Sequence, residues 1–168
     1  MTSRAVNWFK GQNSQFIFLL LLLIFLPLFE APKNIFAFLF VLSFFVVAIK
    51  EKKWGGSWRI IDTIFLLFLL ANIVITINAI MVHKMPGSIF NDLTRFVLVA
   101  WVISRCTFES RRIIALCMAA IISTMVALAY SYIICPQGGV CVELNSVGHV
   151  NHSAVYLVIC YGISLPLL

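Results

Sequence analysis

The residues best suited to chemistry lie between Asn145 and Leu157, which read Asn-Ser-Val-Gly-His-Val-Asn-His-Ser-Ala-Val-Tyr-Leu. His149 and His152 flank Asn151, and an apolar run follows directly. A helix entering a membrane here would present free backbone N–H groups and a positive dipole end, which suit phosphate oxygens. The imidazoles would donate hydrogen bonds to a substrate or move protons. The same residues also fit simple capping, with Asn151 or Ser153 as N-cap and the histidines at the interface. Both readings stay open. Asn151-His152-Ser153 also matches a glycosylation acceptor sequence, but it lies too near the apolar run to serve as one.

A second set surrounds the start of the apolar run near residue 88. Asp92 and Arg95 are three residues apart, a spacing that brings side chains together on a helix, so a local ion pair is one reading. The other is a cation for a phosphate or pyrophosphate, because the planar guanidinium fork meets phosphate oxygens bidentately. Lys84 would add a second positive charge. Charges inside an apolar segment are expensive and tend to mark partners or function. Further on, Cys135 and Cys141 flank Pro136-Gln137-Gly138-Gly139-Val140, a segment able to turn back on itself. In an oxidising compartment these two cysteines would form a disulfide. A zinc site built from Cys135, Cys141 and His149 fits less well, since the spacing is not a familiar ligand pattern. No metal and no cofactor are expected.

The elements that must position these groups follow from hydropathy. Of 168 residues, 62% are apolar and 11% charged, and mean hydropathy is +1.07. Soluble domains are about half apolar and one quarter charged, so a conventional soluble enzyme is excluded. A membrane-crossing helix needs roughly 20 apolar residues. Apolar runs predict six spans near residues 14–30, 33–50, 60–80, 88–105, 112–134 and 151–168, in an all-α polytopic domain. The break between the first two is expected at Glu30-Ala31-Pro32-Lys33-Asn34, as a tight helical hairpin. A cleaved signal peptide fits poorly: Arg4 and Lys10 precede the run, but no small-x-small site follows it.

The basic residues sort by loop. Arg4, Lys10, Lys50, Lys52, Lys53, Arg59, Arg105, Arg111 and Arg112 fall on one side, and Lys33 and Lys84 on the other, with Arg95 inside a run. Lys and Arg mark the cytoplasmic side, which predicts a cytoplasmic N-terminus. Trp8, Trp54 and Trp58 then sit at the inner interface, where aromatic belts form. The charge of +6 is topological, and no nucleic-acid role is assigned to it. The histidines and Glu143 collect on the outer side.

Within the runs, Ala115, Ala119, Ser123, Ala127 and Ser131 recur every four residues. Small side chains on one face let helices approach closely in lipid, so this stripe predicts a packing seam. Asn72 and Thr76 share a face of the third run, and bonding to a neighbouring helix is the expected use.

Gly148-His149-Val150-Asn151-His152-Ser153-Ala154-Val155-Tyr156-Leu157 resembles a signature of the bacterial O-antigen ligase family, and Asp92-Leu93-Thr94-Arg95-Phe96-Val97-Leu98 resembles the opening of an early span in that family. The hairpin, the basic second loop and the N-inside layout are similar too. The resemblance implies an inner-membrane glycosyltransferase that takes a glycan from undecaprenyl pyrophosphate and joins it to lipid A core or another glycan acceptor. Lys84, Asp92, Arg95, His149, Asn151 and His152 are then candidates for lining the donor-lipid site. Family members are longer and carry a large outward loop holding the Arg and His residues assigned to catalysis. Nothing here matches that loop, so the expectation is the N-terminal half of such an enzyme, inactive alone, with its catalytic residues elsewhere. The partners implied are the lipid-linked glycan, its acceptor and membrane lipids. Two alternatives remain: a related polysaccharide polymerase, or a small six-span membrane binding or transport protein without catalysis.

Overall fold

A computed structural model describes residues 2–52, 54–83, 88–134 and 156–162, with side chains described for 13–52, 54–81, 94–133 and 156–162. The described residues are mostly helical and contain no strand. Among the described residues five long helices follow in order: α1 (Thr2–Phe25), α2 (Glu30–Glu51), α3 (Ile60–His83), α4 (Ser88–Arg105) and α5 (Ser110–Ile134). A short helical stretch covers 156–162, within the expected sixth run. Among the described residues, three segments are long and apolar enough to cross a membrane: Glu30–Glu51, Ile60–Met81 and Ser110–Ile133. The apolar part of α1, Asn13–Phe25, is shorter.

The first break differs from the expectation. The turn lies at Leu26–Leu28, and Glu30-Ala31-Pro32-Lys33-Asn34 forms the first turns of α2. Proline explains both facts. Pro27 disfavours a helical residue before it and supplies no N–H, so α1 stops at Phe25. Pro32 falls in the first turn of α2, where its missing N–H would have no partner anyway. Glu30 meets the positive end of the helix dipole there. Phe25 stacks on Phe36 across the turn, with ring centroids 5.4 Å apart.

The chain forms two compact units, Met1–Gly11 with Phe40–Thr107, and Gln12–Leu39 with Phe108–Leu168. In the first, α3 packs against α4. Between Ile60 and Met81 the only buried residues of α3 are polar, Asp62 and Asn72, while its exposed residues are overwhelmingly apolar. Val74, Ile75, Leu67 and Phe68 are each more than half exposed. Such a face would be a large aggregation liability in water and suits a lipid environment. Asn72 donates to the Thr94 hydroxyl of α4 at 3.1 Å, the bond to a neighbouring helix that its position suggested.

In the second unit the buried apolar residues are Leu19, Leu22, Ala37, Leu116, Ala120, Ala127 and Cys160. The small-residue stripe of α5 is a seam, as its spacing predicted, but rotated slightly. Ser123 and Ala127 are buried, Ala119 and Ser131 half-buried, and Ala115 exposed, while Leu116, Ala120 and Thr124 complete the inward face. Ser123 donates to the Leu23 carbonyl of α1 (3.1 Å) and is also within 3.0 Å of the Ala120 carbonyl.

Candidate functional site

The most densely built polar arrangement among the described residues lies where α2 and α4 end and α3 begins. α2 stops at Glu51, and Lys52 takes a left-handed backbone (φ 52°), the geometry of a helix C-cap. Gly55 (φ 75°) and Gly56 (φ 104°) continue the turn in conformations that favour glycine. Gly55 is constrained a second way, because a Cβ there would lie 2.8 Å from the Arg105 carbonyl oxygen.

Asp62 sits three residues after Arg59, the N-cap of α3. Its Oδ2 accepts from the Arg59 backbone N–H at 2.7 Å, the acidic half of a capping box. The same oxygen is ion-paired with Arg105 Nη2. Oδ1 accepts from Arg105 Nε at 2.8 Å and from the Trp101 indole N–H at 2.9 Å. Arg105 Nη1 turns to the preceding loop and donates to the carbonyls of Gly56 and Ser57, both at 3.1 Å, and Trp54 at 3.3 Å. The guanidinium also lies over the Trp101 ring, 5.9 Å from its centroid. Phe44 and Phe45 pack around Trp101, and Phe45 meets Trp54 edge-on. Arg59 Nη2 donates to the Ser104 carbonyl at 2.6 Å, a second tie between the loop and α4.

This arrangement is chemically closed. Both carboxylate oxygens of Asp62 accept two donors each, so the group is no general base. Every edge of the Arg105 guanidinium is occupied, so no fork remains for a phosphate. Both side chains are almost wholly buried, 3% and 0% exposed for Arg105 and Asp62. A buried pair with all its hydrogen bonds made fixes geometry rather than performing chemistry. Here it fixes the 54–59 loop onto the ends of α3 and α4.

Sequence reading passed over this junction. Arg105 was counted among the loop charges of the inner side, and the structure buries it. Asp62 carried a legible signal, an acidic residue three positions after the start of a span, which is the N3 position of a capping box. Nothing local in the sequence pairs it with a residue 43 positions away.

Of the residues expected at a donor-lipid site, Arg95 lies on α4, half-buried and already engaged with a neighbour. Asp92 lies one turn earlier on the same helix, its side chain outside the described residues. Lys84, His149, Asn151 and His152 lie outside the described residues, as do Cys135 and Cys141. Among the described residues, Cys106, Cys117 and Cys160 are not joined in disulfides, and burial pushes the Cys106 thiol up to about 12. No cluster of His, Cys, Asp and Glu able to hold a metal occurs among the described residues.

In the second unit, Arg112 Nη2 donates to Asn13 Oδ1 at 2.7 Å, and its guanidinium lies over the Phe16 ring. This pins the start of α5 to α1. No protein-family model matches the sequence, and no curated protein or solved structure matches it either.

Proposed function

We propose that this chain belongs to an O-antigen ligase-type glycosyltransferase of the bacterial inner membrane, with its N-terminus cytoplasmic and six spans in the region from 14 to 168. The reading is carried by one observation, the polar stretch Gly148–Leu157 leading into an apolar run, which resembles the family signature. The resemblance of Asp92–Leu98 and the segregation of Lys and Arg to alternate loops lend support.

The reaction joins an acceptor hydroxyl oxygen to the anomeric carbon of the glycan while the bond from that carbon to pyrophosphate breaks. The acceptor proton goes to a base, and the bond's electron pair leaves with undecaprenyl pyrophosphate. Negative charge grows on the leaving group, so cations at the outer interface lower the barrier. Arg95 and Lys84 are assigned that task, and His149, Asn151 and His152 are assigned to donor binding as hydrogen-bond donors. The catalytic base is not assigned to any residue of this chain.

The test is a lipopolysaccharide gel from the source bacterium carrying Arg95→Ala in the gene for the whole protein, at matched protein level. Loss of the O-antigen ladder with accumulated lipid-linked glycan is expected. An undiminished ladder would refute the assignment of Arg95. If deleting the whole gene leaves surface glycans unchanged, the ligase reading itself fails.

A further inference from the structure

The loop that the Asp62–Arg105 junction holds displays an unusual outer surface. Trp54 and Trp58 are 48% and 64% exposed, and Ile60 is 82% exposed. Lys50, Lys52 and Arg59 are exposed around them. Burying two tryptophans would be routine in a folded loop; holding them out beside three cations is not. The backbone is fixed from beneath, by three carbonyls bound to Arg105 and by the capping of α3 through Asp62. The Trp58 indole N–H is itself oriented, donating to Thr63 Oγ1 at 2.9 Å. The surface is therefore preformed, so little ordering entropy is lost when it meets a partner.

The loop joins the ends of two apolar segments long enough to cross a membrane, Glu30–Glu51 and Ile60–Met81, which puts it at the depth of lipid headgroups. Indoles favour that depth, with the ring among the upper acyl chains and the N–H in polar surroundings. Cations there meet phosphate. We propose that this surface binds anionic phospholipid headgroups in preference to zwitterionic ones, with Trp54 and Trp58 seated at the interface and Lys50, Lys52 and Arg59 supplying the selectivity. The proposal rests on the membrane character of α2 and α3 and is independent of the glycosyltransferase reading.

The full chain is reconstituted into phosphatidylcholine vesicles containing either brominated phosphatidylglycerol or brominated phosphatidylcholine at equal mole fraction. Bromine quenches tryptophan on contact, and the difference between the wild type and Trp58→Phe isolates Trp58. Stronger quenching of Trp58 by the brominated phosphatidylglycerol is expected, with the excess falling as salt is added. Each cation near an anionic surface is worth about fivefold in partitioning. The Lys50→Gln/Lys52→Gln variant, which leaves the Arg59–Ser104 bond in place, should lose most of the excess. Adding Arg59→Gln should abolish it. Equal quenching by the two lipids in the wild type, or an excess unchanged in the triple variant with helix content intact, would overturn the proposal.

Discussion

The first unit buries an aspartate against an arginine, whereas the buried polar side chains described in the second unit are neutral: Gln15, Ser123 and Thr124. The difference follows from where along a helix each group sits. Asp62 is in the first turn of α3 and Arg105 is the last residue of α4, so loop carbonyls and an N-cap N–H are at hand to complete their hydrogen bonds. Ser123 and Thr124 lie in the middle of α5, where helix carbonyls and, for Thr124, the Cys160 thiol at 3.4 Å are the partners at hand. Their hydroxyls accordingly turn back to the Ala120 carbonyl, and Ser123 also reaches the Leu23 carbonyl of α1. A hydroxyl needs one acceptor; a guanidinium needs five. Charge can thus be buried at a helix end next to a loop, and neutral groups suffice in mid-helix.

The contrast can be broken most severely at Arg105. Replacing it with Leu leaves a buried carboxylate and three loop carbonyls without their donor, and removing one partner of a buried pair typically costs about 3–5 kcal/mol. Unfolding of the purified protein in a fixed detergent or bilayer should show this as the largest loss among the variants considered. Gly55→Ala comes next. It combines a left-handed backbone with a 2.8 Å approach to the Arg105 carbonyl, and the strain is on the order of 1–3 kcal/mol. Gly56→Ala, left-handed but with open space around it, should cost less. If the two glycine variants are equally stable, the close approach at Gly55 does not matter.

Smaller effects are expected in the helix interiors. Asn72→Ala removes the bond to Thr94, and Ser123→Ala the bond to Leu23. Interhelical hydrogen bonds in membranes average about 0.6 kcal/mol, so each variant should unfold close to wild type. A loss at Ser123 as large as that of Arg105→Leu would erase the contrast between the units. The smallest effect concerns Cys106, whose thiol burial pushes up to about 12. The folded chain holds this proton to higher pH than the unfolded chain, so the group favours unfolding only as the pH rises above the ordinary thiol range. Alkylation of Cys106 in the native protein should stay slow at mildly alkaline pH and accelerate only on unfolding. Rapid labelling in the native state would show that the thiol is not held back by burial.

Much of the helix layout was legible because it is written in composition. Apolar runs placed α2 through α5 to within a few residues, and the four-residue stripe of α5 marked its packing face. The first turn was misplaced because Pro32 with its neighbouring charges was read as the break, and Pro27 was passed over. Lys33 and Asn34 read as loop residues, yet Pro27 is the residue that stops a helix, and Glu30 with Pro32 suits a helix start. The Asp62–Arg105 junction was not legible, since Arg105 looks like any loop cation until the fold brings it beneath the loop. Counting Lys and Arg by loop treats each as solvated, and one of the nine assigned to the inner side is instead buried. The residues of the family-like stretch from 145 to 155 owe their functional reading to sequence alone.

The central structural claim is that Asp62 and Arg105 act as one unit that fixes the loop between α2 and α3. A double-mutant cycle tests it directly, comparing the unfolding stability of Asp62→Leu, Arg105→Leu and the double variant against wild type in one lipid environment. Strong coupling is predicted, with the double variant losing much less than the two single losses combined and no more than the worse single variant. Strictly additive losses would contradict the account and return Arg105 to the status of an ordinary loop charge.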